Sequence, residues 1–514
     1  MNATALRSAG TSAAGRVGAP SGNLVELLEL TARERGWLER PAYLVGDRAY
    51  RFEDVYRGAA RAAAGLLERG VRAGDRVLIA LPDGIEFVWA FLGALRAGIV
   101  AVPVNTMLHP RETARAAGIA EPALVVSAPE AAGDFPFPAV PFEELPADPD
   151  GLGADHAPCT AGTAAFAAFT SGTTGGPKLC FHTHGDPPVL DAAAGSAIGV
   201  RGDDVSYSVP RMNFAYGLGN SLFFPLLRGG ATVLTPQRLS PGESLAVLER
   251  HGVSVFYSQP TFLAHLLGHP DAPRVLGGLR RAVVAGEVLP ESLERRLREH
   301  LGERLVNVYG TTEIGHAVLA NVPGEQKEFT LGRALPPYRV RVVDEAGQPV
   351  PAGVEGRLEV SGPTIGPGVA RGGREPARLA PGEWFTTSDA AVVDAEGYVR
   401  VHGRLDDVEI VGGVNVHPAE VEDLLLEHAA VEEAAVCSVR QDTGGTVLRA
   451  FVVLRDGVGE EERGAVRDEL LAAARTGLTW YKVPKDVVFT TELPRNPTGK
   501  LLRRSVRAMA SEAA

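Results

Sequence analysis

The 514 residues exceed what one hydrophobic core usually supports, so two or more domains are expected. A formal net charge of −12 at pH 7 repels nucleic acid and acidic membranes, so an anionic ligand has to rely on local basic groups. The three cysteines, Cys159, Cys180 and Cys437, stand at no metal-binding or redox spacing, which predicts a reducing cytoplasm and no disulfide framework.

Residues 1–22 are mostly Ala, Ser, Gly and Thr, with Arg7 and Arg16 and no apolar run. They read as a disordered tail, neither signal peptide nor anchor. From Leu24 onward, helical periodicity alternates with short branched-aliphatic runs: helix at 56–69, strand at 76–81, helix at 85–97, strand at 99–103. This βαβ alternation predicts largely parallel sheets covered by helices. The most apolar stretch, 87–104, is interrupted by Arg96, Gly98 and Pro103, so a buried helix entering a buried strand accounts for it better than a membrane span. A weak strand at 123–126 leads into Pro- and Gly-rich text at 127–161 that reads as irregular connection.

The next segment is the most informative. Thr170, Ser171, Gly172, Thr173 and Thr174, then Gly175, Gly176, Pro177 and Lys178, crowd hydroxyls and glycines beside a lysine. Glycines let backbone N–H groups turn toward phosphate oxygens, hydroxyls add donors, and the lysine adds a compact positive charge. A Walker A loop would end Gly-Lys-Ser/Thr; here Pro177 precedes the lysine and Leu179 follows it, so that reading fails at two positions.

Beyond this loop, strands at 232–234, 253–257, 281–285 and 305–309 alternate with helices such as 241–251 and 291–300, which predicts a second parallel sheet. Residues 338–401 change to short strands with turns at 345–347 and 394–397, a β-rich subdomain built from hairpins. A boundary is expected near Asp406, giving a tail at 1–22, a domain at 23–405 and a domain at 406–514 with helix, strand, strand, helix, strand order. The fold class is therefore α/β: a large N-terminal domain of two βα-layered sheets with a small β-rich subdomain, then a small α+β domain.

Four further segments carry candidate chemistry. Tyr309-Gly310-Thr311-Thr312-Glu313 closes a predicted strand in a hydroxyl-rich turn, where Thr311 and Thr312 suit a phosphate and Glu313 suits magnesium as a hard oxygen ligand; an ordinary strand-to-loop turn is the alternative. Asp389, at the end of Thr386-Thr387-Ser388-Asp389, suits both hydroxyls of a ribose, or else caps a turn. Arg404 in Gly403-Arg404-Leu405-Asp406-Asp407 adds a charge near a nucleotide, or pairs on the surface, and Asp406 is a candidate hinge. Lys500 closes Pro494-Arg495-Asn496-Pro497-Thr498-Gly499-Lys500 near the C terminus, where a solvated tail lysine is the alternative.

In this order and at these separations, TSGTTGGPK, YGTTE, a strand-ending TSD, GRLDD and PRNPTGK resemble the superfamily of adenylate-forming enzymes, which contains acyl-CoA ligases, peptide-synthetase adenylation domains and beetle luciferases. The resemblance spans about residues 24–504. It implies attack of a carboxylic acid on ATP to give acyl-AMP and pyrophosphate, then thioester formation with coenzyme A, with magnesium as the metal. It further implies that Lys500 bridges the two reacting anions, that Lys178 and the loop hydroxyls hold pyrophosphate, that Glu313 holds magnesium with Thr312 beside it in the catalytic group, and that Gly310, Thr311, Asp389 and Arg404 contact the nucleotide. The small C-terminal domain would be mobile, pivoting at Asp406 and bringing Gly412 and Gly413 to the site as a channel for the pantetheine arm.

Residues 412–422 look like the turn and helix that follow the hinge in CoA ligases, and 213–220 resemble the aryl-pocket stretch of benzoate-type CoA ligases. Phe214 falls where many relatives have a gating histidine or aromatic; Phe214, Ala215, Tyr216 and Gly217, with Ala285 and Gly286, are the implied acid pocket, with core aromatics the alternative for Phe214 and Tyr216. An aryl acid is the favoured substrate of a monomer or homodimer. Loading of a carrier protein, or thioesterification alone, is the alternative. Three departures stand out: Leu179 where glycine is usual, which is where altered ATP handling is expected; Ser388 where the usual text is Thr-Gly-Asp; and Gly366-Pro367-Gly368 where a tyrosine commonly follows the first glycine.

Overall fold

The computed structural model describes residues 22–145, 154–171, 177–286, 289, 291–366, 368, 378–404, 409–416, 418–441, 445–455, 457–494 and 503–512. Gly172, Thr173, Thr174, Asp406 and Lys500, and residues 1–21 of the expected tail, lie outside the described residues.

The first sheet has six strands in the spatial order Ala139–Pro141, Leu124–Ser127, Arg76–Ala80, Val100–Pro103, Ala164–Ser171, Pro177–Thr183. All neighbours run parallel except the last two, which form an antiparallel hairpin. The strands Val100–Pro103 and Leu124–Ser127 are buried at every position, as expected of parallel strands covered on both faces. Ile85–Arg96 is the buried helix expected from the most apolar text, and it packs against Phe52–Glu68. The close approach is permitted by Gly93, where a Cβ would lie 2.7 Å from that of Ala62. The 127–161 region is less irregular than its composition suggests, because Ala139–Pro141 adds an edge strand to the sheet.

The second sheet has nine strands. Its central strands, including Val205–Ser208, Val255–Ser258, Arg281–Val284 and Leu305–Gly310, run parallel, and both edges turn antiparallel through Arg48–Arg51 and Ala317–Ala320. One hydrophobic core joins the two sheets, with Phe91, Phe166 and Phe223 packed together at its centre. The hairpin-rich text of 338–401 folds into a four-stranded antiparallel sheet, Arg339–Val343, Gly356–Ser361, Phe385–Val393 and Val399–Arg404.

The C-terminal part follows as a small α+β unit. A two-stranded hairpin, Glu409–Val411 with Val414–Val416, precedes the helix Pro418–Leu426 and a three-stranded sheet, Val431–Arg440, Thr446–Leu454 and Asp486–Phe489. The last strand joins parallel by way of the crossover helix Arg463–Gly477, and Val416, Val421, Leu425, Val436 and Leu470 form a separate core. A terminal helix, Arg503–Glu512, was not expected from sequence. Among the described residues, no helix is long and apolar enough to cross a membrane.

Candidate active site

The strand Leu305–Gly310 ends at the mouth of a cavity of about 920 Å³, which also receives the strand Ala164–Ser171, the start of the helix Ala215–Leu218 and the hairpin turn at Gly412 and Gly413. This is the carboxyl end of parallel strands, the place where open α/β sheets bind ligands. Gly310 has to be glycine here, since a Cβ would lie 2.0 Å from the carbonyl oxygen of His316.

Thr311, Thr312 and Glu313 line the cavity with Thr170. Thr170 donates its hydroxyl to Glu313 Oε1 at 3.0 Å, joining the first hydroxyl-rich segment to the second. Thr311 Oγ1 is buried with no hydrogen-bond partner among the described residues, as is Asn307 Oδ1 on the preceding strand and the same cavity. A buried orphan hydroxyl normally costs stability, and a phosphate oxygen is an acceptor that would satisfy Thr311. The site thus fits a nucleotide phosphate with a divalent ion held by Glu313.

Behind this turn a buried network fixes its backbone. His182 Nε2 lies 2.9 Å from the Thr312 carbonyl oxygen, and its Nδ1 lies 3.3 Å from Asp186, whose carboxylate also receives two bonds from Arg378, at 2.6 and 2.7 Å. Burial would raise the Asp186 carboxyl, but hydrogen bonds from His182 and Arg378 hold it below the usual range, so it stays ionised. On the far side, the Gly366 N–H donates to the Glu313 carbonyl at 2.8 Å. Gly368 packs so tightly that a Cβ would meet that of Lys178 at 2.9 Å, which explains the second glycine of the Gly366-Pro367-Gly368 departure.

Asp389 lies on the cavity, on the strand Phe385–Val393, and accepts a hydrogen bond from the Tyr309 hydroxyl. Thr387 supports it, accepting from the Asp389 N–H at 3.2 Å while donating to the Leu358 carbonyl at 2.8 Å. Arg404 stands opposite Asp389 in the strand register.

The aryl-type segment forms another wall. Phe214, Ala215 and Tyr216 line the cavity, as do Ala285 and Gly286. Tyr216 donates to the Val283 carbonyl at 3.4 Å and meets Tyr257 edge-on, with ring centroids 6.2 Å apart. The helix then widens into a π turn, Gly219–Phe223, that brings Asn220 within 3.1 Å of His316 Nε2. His316 is fully enclosed, and burial pushes its imidazole down to about 3, so it is a neutral wall. Gly219 is needed beneath it, because a Cβ would lie 2.2 Å from the ring. The start of the segment is pinned by Asp83, which accepts the Met212 N–H at 3.1 Å.

Two sequence-based assignments are corrected by this geometry. Gly217 does not line the cavity; a Cβ there would lie 1.9 Å from the Arg211 carbonyl oxygen, so it serves close packing of the helix on the preceding loop. Leu179 does not face the cavity either. It is 1% exposed and packs with Leu78, Val102 and Ala117, because strand alternation sends it to the opposite face from its neighbours Lys178 and Cys180. The expected effect on ATP handling therefore has no side chain in the cavity to carry it. Lys178 is paired with Thr170 in the hairpin register and is not among the residues lining the cavity.

Sequence reasoning missed Arg211, Arg238 and Trp480 on the cavity wall, all of which depend on tertiary packing, whereas Asn220 ends the 213–220 stretch and His316 follows Glu313 by three residues, within segments the sequence already marked. Trp480 comes from the C-terminal part, with the Arg238 guanidinium 5.5 Å from its ring centroid.

The AMP-binding enzyme family matches residues 28–372, and the AMP-binding enzyme C-terminal domain matches residues 420–500. The chain belongs to the AMP-binding enzyme family. This AMP-binding enzyme is 34% identical over 501 residues to a benzoate–CoA ligase of Thauera aromatica, covering 91% of this chain and 92% of that protein. It is 38% identical over 493 residues to the p-hydroxybenzoic acid–AMP ligase FadD22 of Mycobacterium tuberculosis, covering 95% of this chain and 69% of that protein. Among solved structures, a benzoate CoA ligase from Burkholderia xenovorans LB400 superposes with a TM-score of 0.69 at 31% identity, covering 94% of this chain and 99% of that one.

Proposed function

We propose that this protein is an ATP-dependent aryl-CoA ligase, which joins an aromatic carboxylic acid to ATP as acyl-AMP and then to coenzyme A as a thioester. The observation that carries this reading is that one cavity is lined at once by Glu313 and Thr311, by the aryl-type wall of Ala215 and Tyr216, and by Gly412 and Gly413. Phosphate-binding, acid-binding and acceptor-side elements meet there.

A carboxylate is a poor electrophile and must first become a mixed anhydride. At about 4 Å two unit charges repel by about 4 kcal/mol at an effective dielectric of about 20, so a cation touching both anions is worth several powers of ten in rate. Lys500 is assigned that task, and Lys178 with the hydroxyls of Thr170, Ser171, Thr173 and Thr174 is assigned to the departing pyrophosphate. Magnesium would be held by Glu313 and would neutralise phosphate charge. Thr170 orients the Glu313 carboxylate, and Tyr309 orients Asp389 toward the ribose.

In the second step the thiol of coenzyme A attacks the acyl carbon and AMP leaves. Gly412 and Gly413 both take positive φ, 56° and 78°, in the two-residue turn between Val411 and Val414. A turn of this kind, bare of side chains, leaves a narrow approach to the acyl carbon. Domain rotation about Asp406, between 23–405 and 406–514, would exchange this turn for the loop bearing Lys500. A cytoplasmic setting and a monomer or homodimer complete the reading.

A second acceptor, the phosphopantetheine of a carrier protein, draws on the 38% identity to a protein named as an AMP ligase. A panel of aromatic and aliphatic carboxylic acids, incubated with ATP, magnesium and either coenzyme A or a holo-carrier protein and read by mass, tests the proposal. Aroyl-CoA formation supports it; transfer only to the carrier moves the assignment to the second acceptor.

A further inference from the structure

At some distance from the reacting groups, the helix Pro110–Ala120 of the N-terminal part meets the short turn Trp480–Lys482 of the C-terminal part. Glu112 caps its own helix by accepting the His109 N–H at 3.2 Å. The same carboxylate accepts the Thr479 N–H at 3.0 Å, the Thr479 hydroxyl, and the Lys482 ammonium at 2.5 Å. The His109 N–H is in turn shared with Thr479 Oγ1 at 3.2 Å, and Asn105 reaches the Tyr481 hydroxyl at 3.4 Å. Lys482 bonds a second carboxylate, Glu420, at 2.7 Å. Side-chain exposure is only 11% for Lys482, 14% for Glu112 and 18% for Glu420, so bulk water hardly weakens these contacts. Burial opposes the charge on Lys482, yet the two carboxylates outweigh it and hold the amine up at about 12.

The placement matters more than the strength. Glu420 lies in the first turn of the helix that follows the hairpin bearing Gly412 and Gly413, and Trp480, between Thr479 and the lysine, lines the cavity. Lys482 therefore ties the hairpin's own helix to the N-terminal part in the arrangement where the glycine turn lies on the cavity. A surface held together only by chance contact would not concentrate three donors from the C-terminal part on one carboxylate.

We propose that Glu112, Thr479 and Lys482 are positioning residues for the thioester-forming half-reaction: they clip the C-terminal part in place so that Gly412 and Gly413 stay on the cavity while the thiol attacks. The proposal rests on the two-step ligase reading. Adenylate formation, which needs the loop bearing Lys500 at the same site, requires the clip to be open and gains nothing from it.

The test compares the two half-reactions in the full-length protein. Glu112→Gln keeps the side-chain shape and leaves Lys482 its partner Glu420. Acyl transfer from preformed acyl-AMP to coenzyme A should fall about tenfold, the loss of charge-assisted bonds to one carboxylate, while acid-dependent pyrophosphate exchange stays within about twofold. Lys482→Arg, which keeps the charge, should recover more transfer than Lys482→Met. If Glu112→Gln proves too unstable to assay, Thr479→Val removes the shared hydroxyl without unpairing a charge, and the same split is expected. Equal loss of both half-reactions, or no loss of either, overturns the clip. Absence of acid-dependent exchange in the unmodified protein overturns the ligase reading as well, and is seen before any variant is made.

Discussion

Thr170 and Glu313 lie 143 residues apart, yet the hydroxyl of one donates to the carboxylate of the other at 3.0 Å. The bond joins segments at the carboxyl ends of the two sheets and holds the Glu313 carboxylate, the proposed magnesium ligand, on the cavity. It follows that Glu313→Gln should lower acid-dependent pyrophosphate exchange about a hundredfold or more, since a metal-bound carboxylate is worth several kcal/mol at a reacting phosphate. Thermal stability should barely change, because the amide still accepts from Thr170. Exchange within a few-fold of the unmodified protein would remove Glu313 from the metal site.

Gly413→Leu places a branched side chain in a turn where φ is 78°, on the cavity wall proposed as the acceptor channel. Thioester formation from synthetic acyl-AMP should drop about tenfold or more, and pyrophosphate exchange should persist. Equal loss of both activities would show that the turn is not an acceptor channel.

Leu179 stands in the core beside Leu78 and Val102, away from the cavity. Leu179→Ala should therefore cost about 2–5 kcal/mol in denaturant unfolding, the usual range for a buried leucine, with the KM for ATP within about twofold. A large rise in KM without destabilisation would restore the family departure to a role in ATP handling.

Asp83 ties the aryl-type segment through the Met212 N–H, and burial raises its carboxyl to about 6, against the pull of Arg211 and that backbone bond. Below pH 4 the group is protonated in both folded and unfolded chains. As pH rises toward 6 the unfolded chain ionises first, so the group withdraws stability, by about 3 kcal/mol for two pKa steps, and withdraws no more above 6. Asp83→Asn should abolish that component, so the variant gains on the unmodified protein between pH 4 and 6. Parallel stability curves across that window, measured by denaturant unfolding, would contradict it.

The sheets were legible because parallel strands buried on both faces read as unbroken apolar runs, as Val100–Pro103 does, and because glycine-bearing turns separate the hairpins of the third sheet. The hydroxyl-rich turn on the cavity was legible as a candidate because its chemistry is local: hydroxyls, a glycine and a carboxylate within five positions. Ala139–Pro141 was not, since three residues carry no periodicity and only the edge of the sheet makes them a strand. Gly217 was misassigned because sequence marks a glycine without saying whether it faces a ligand or a neighbouring backbone. Glu112 and Lys482 were invisible for another reason: 370 residues separate them, and each alone reads as a solvated charge.

The most direct measurement is pyrophosphate exchange into ATP, with an aromatic acid present and coenzyme A absent, followed by addition of coenzyme A. The account predicts exchange that depends on the acid, then release of AMP with stoichiometric aroyl-CoA on addition of the thiol. No acid-dependent exchange with any aromatic acid, together with no transfer from synthetic aroyl-AMP, would contradict it.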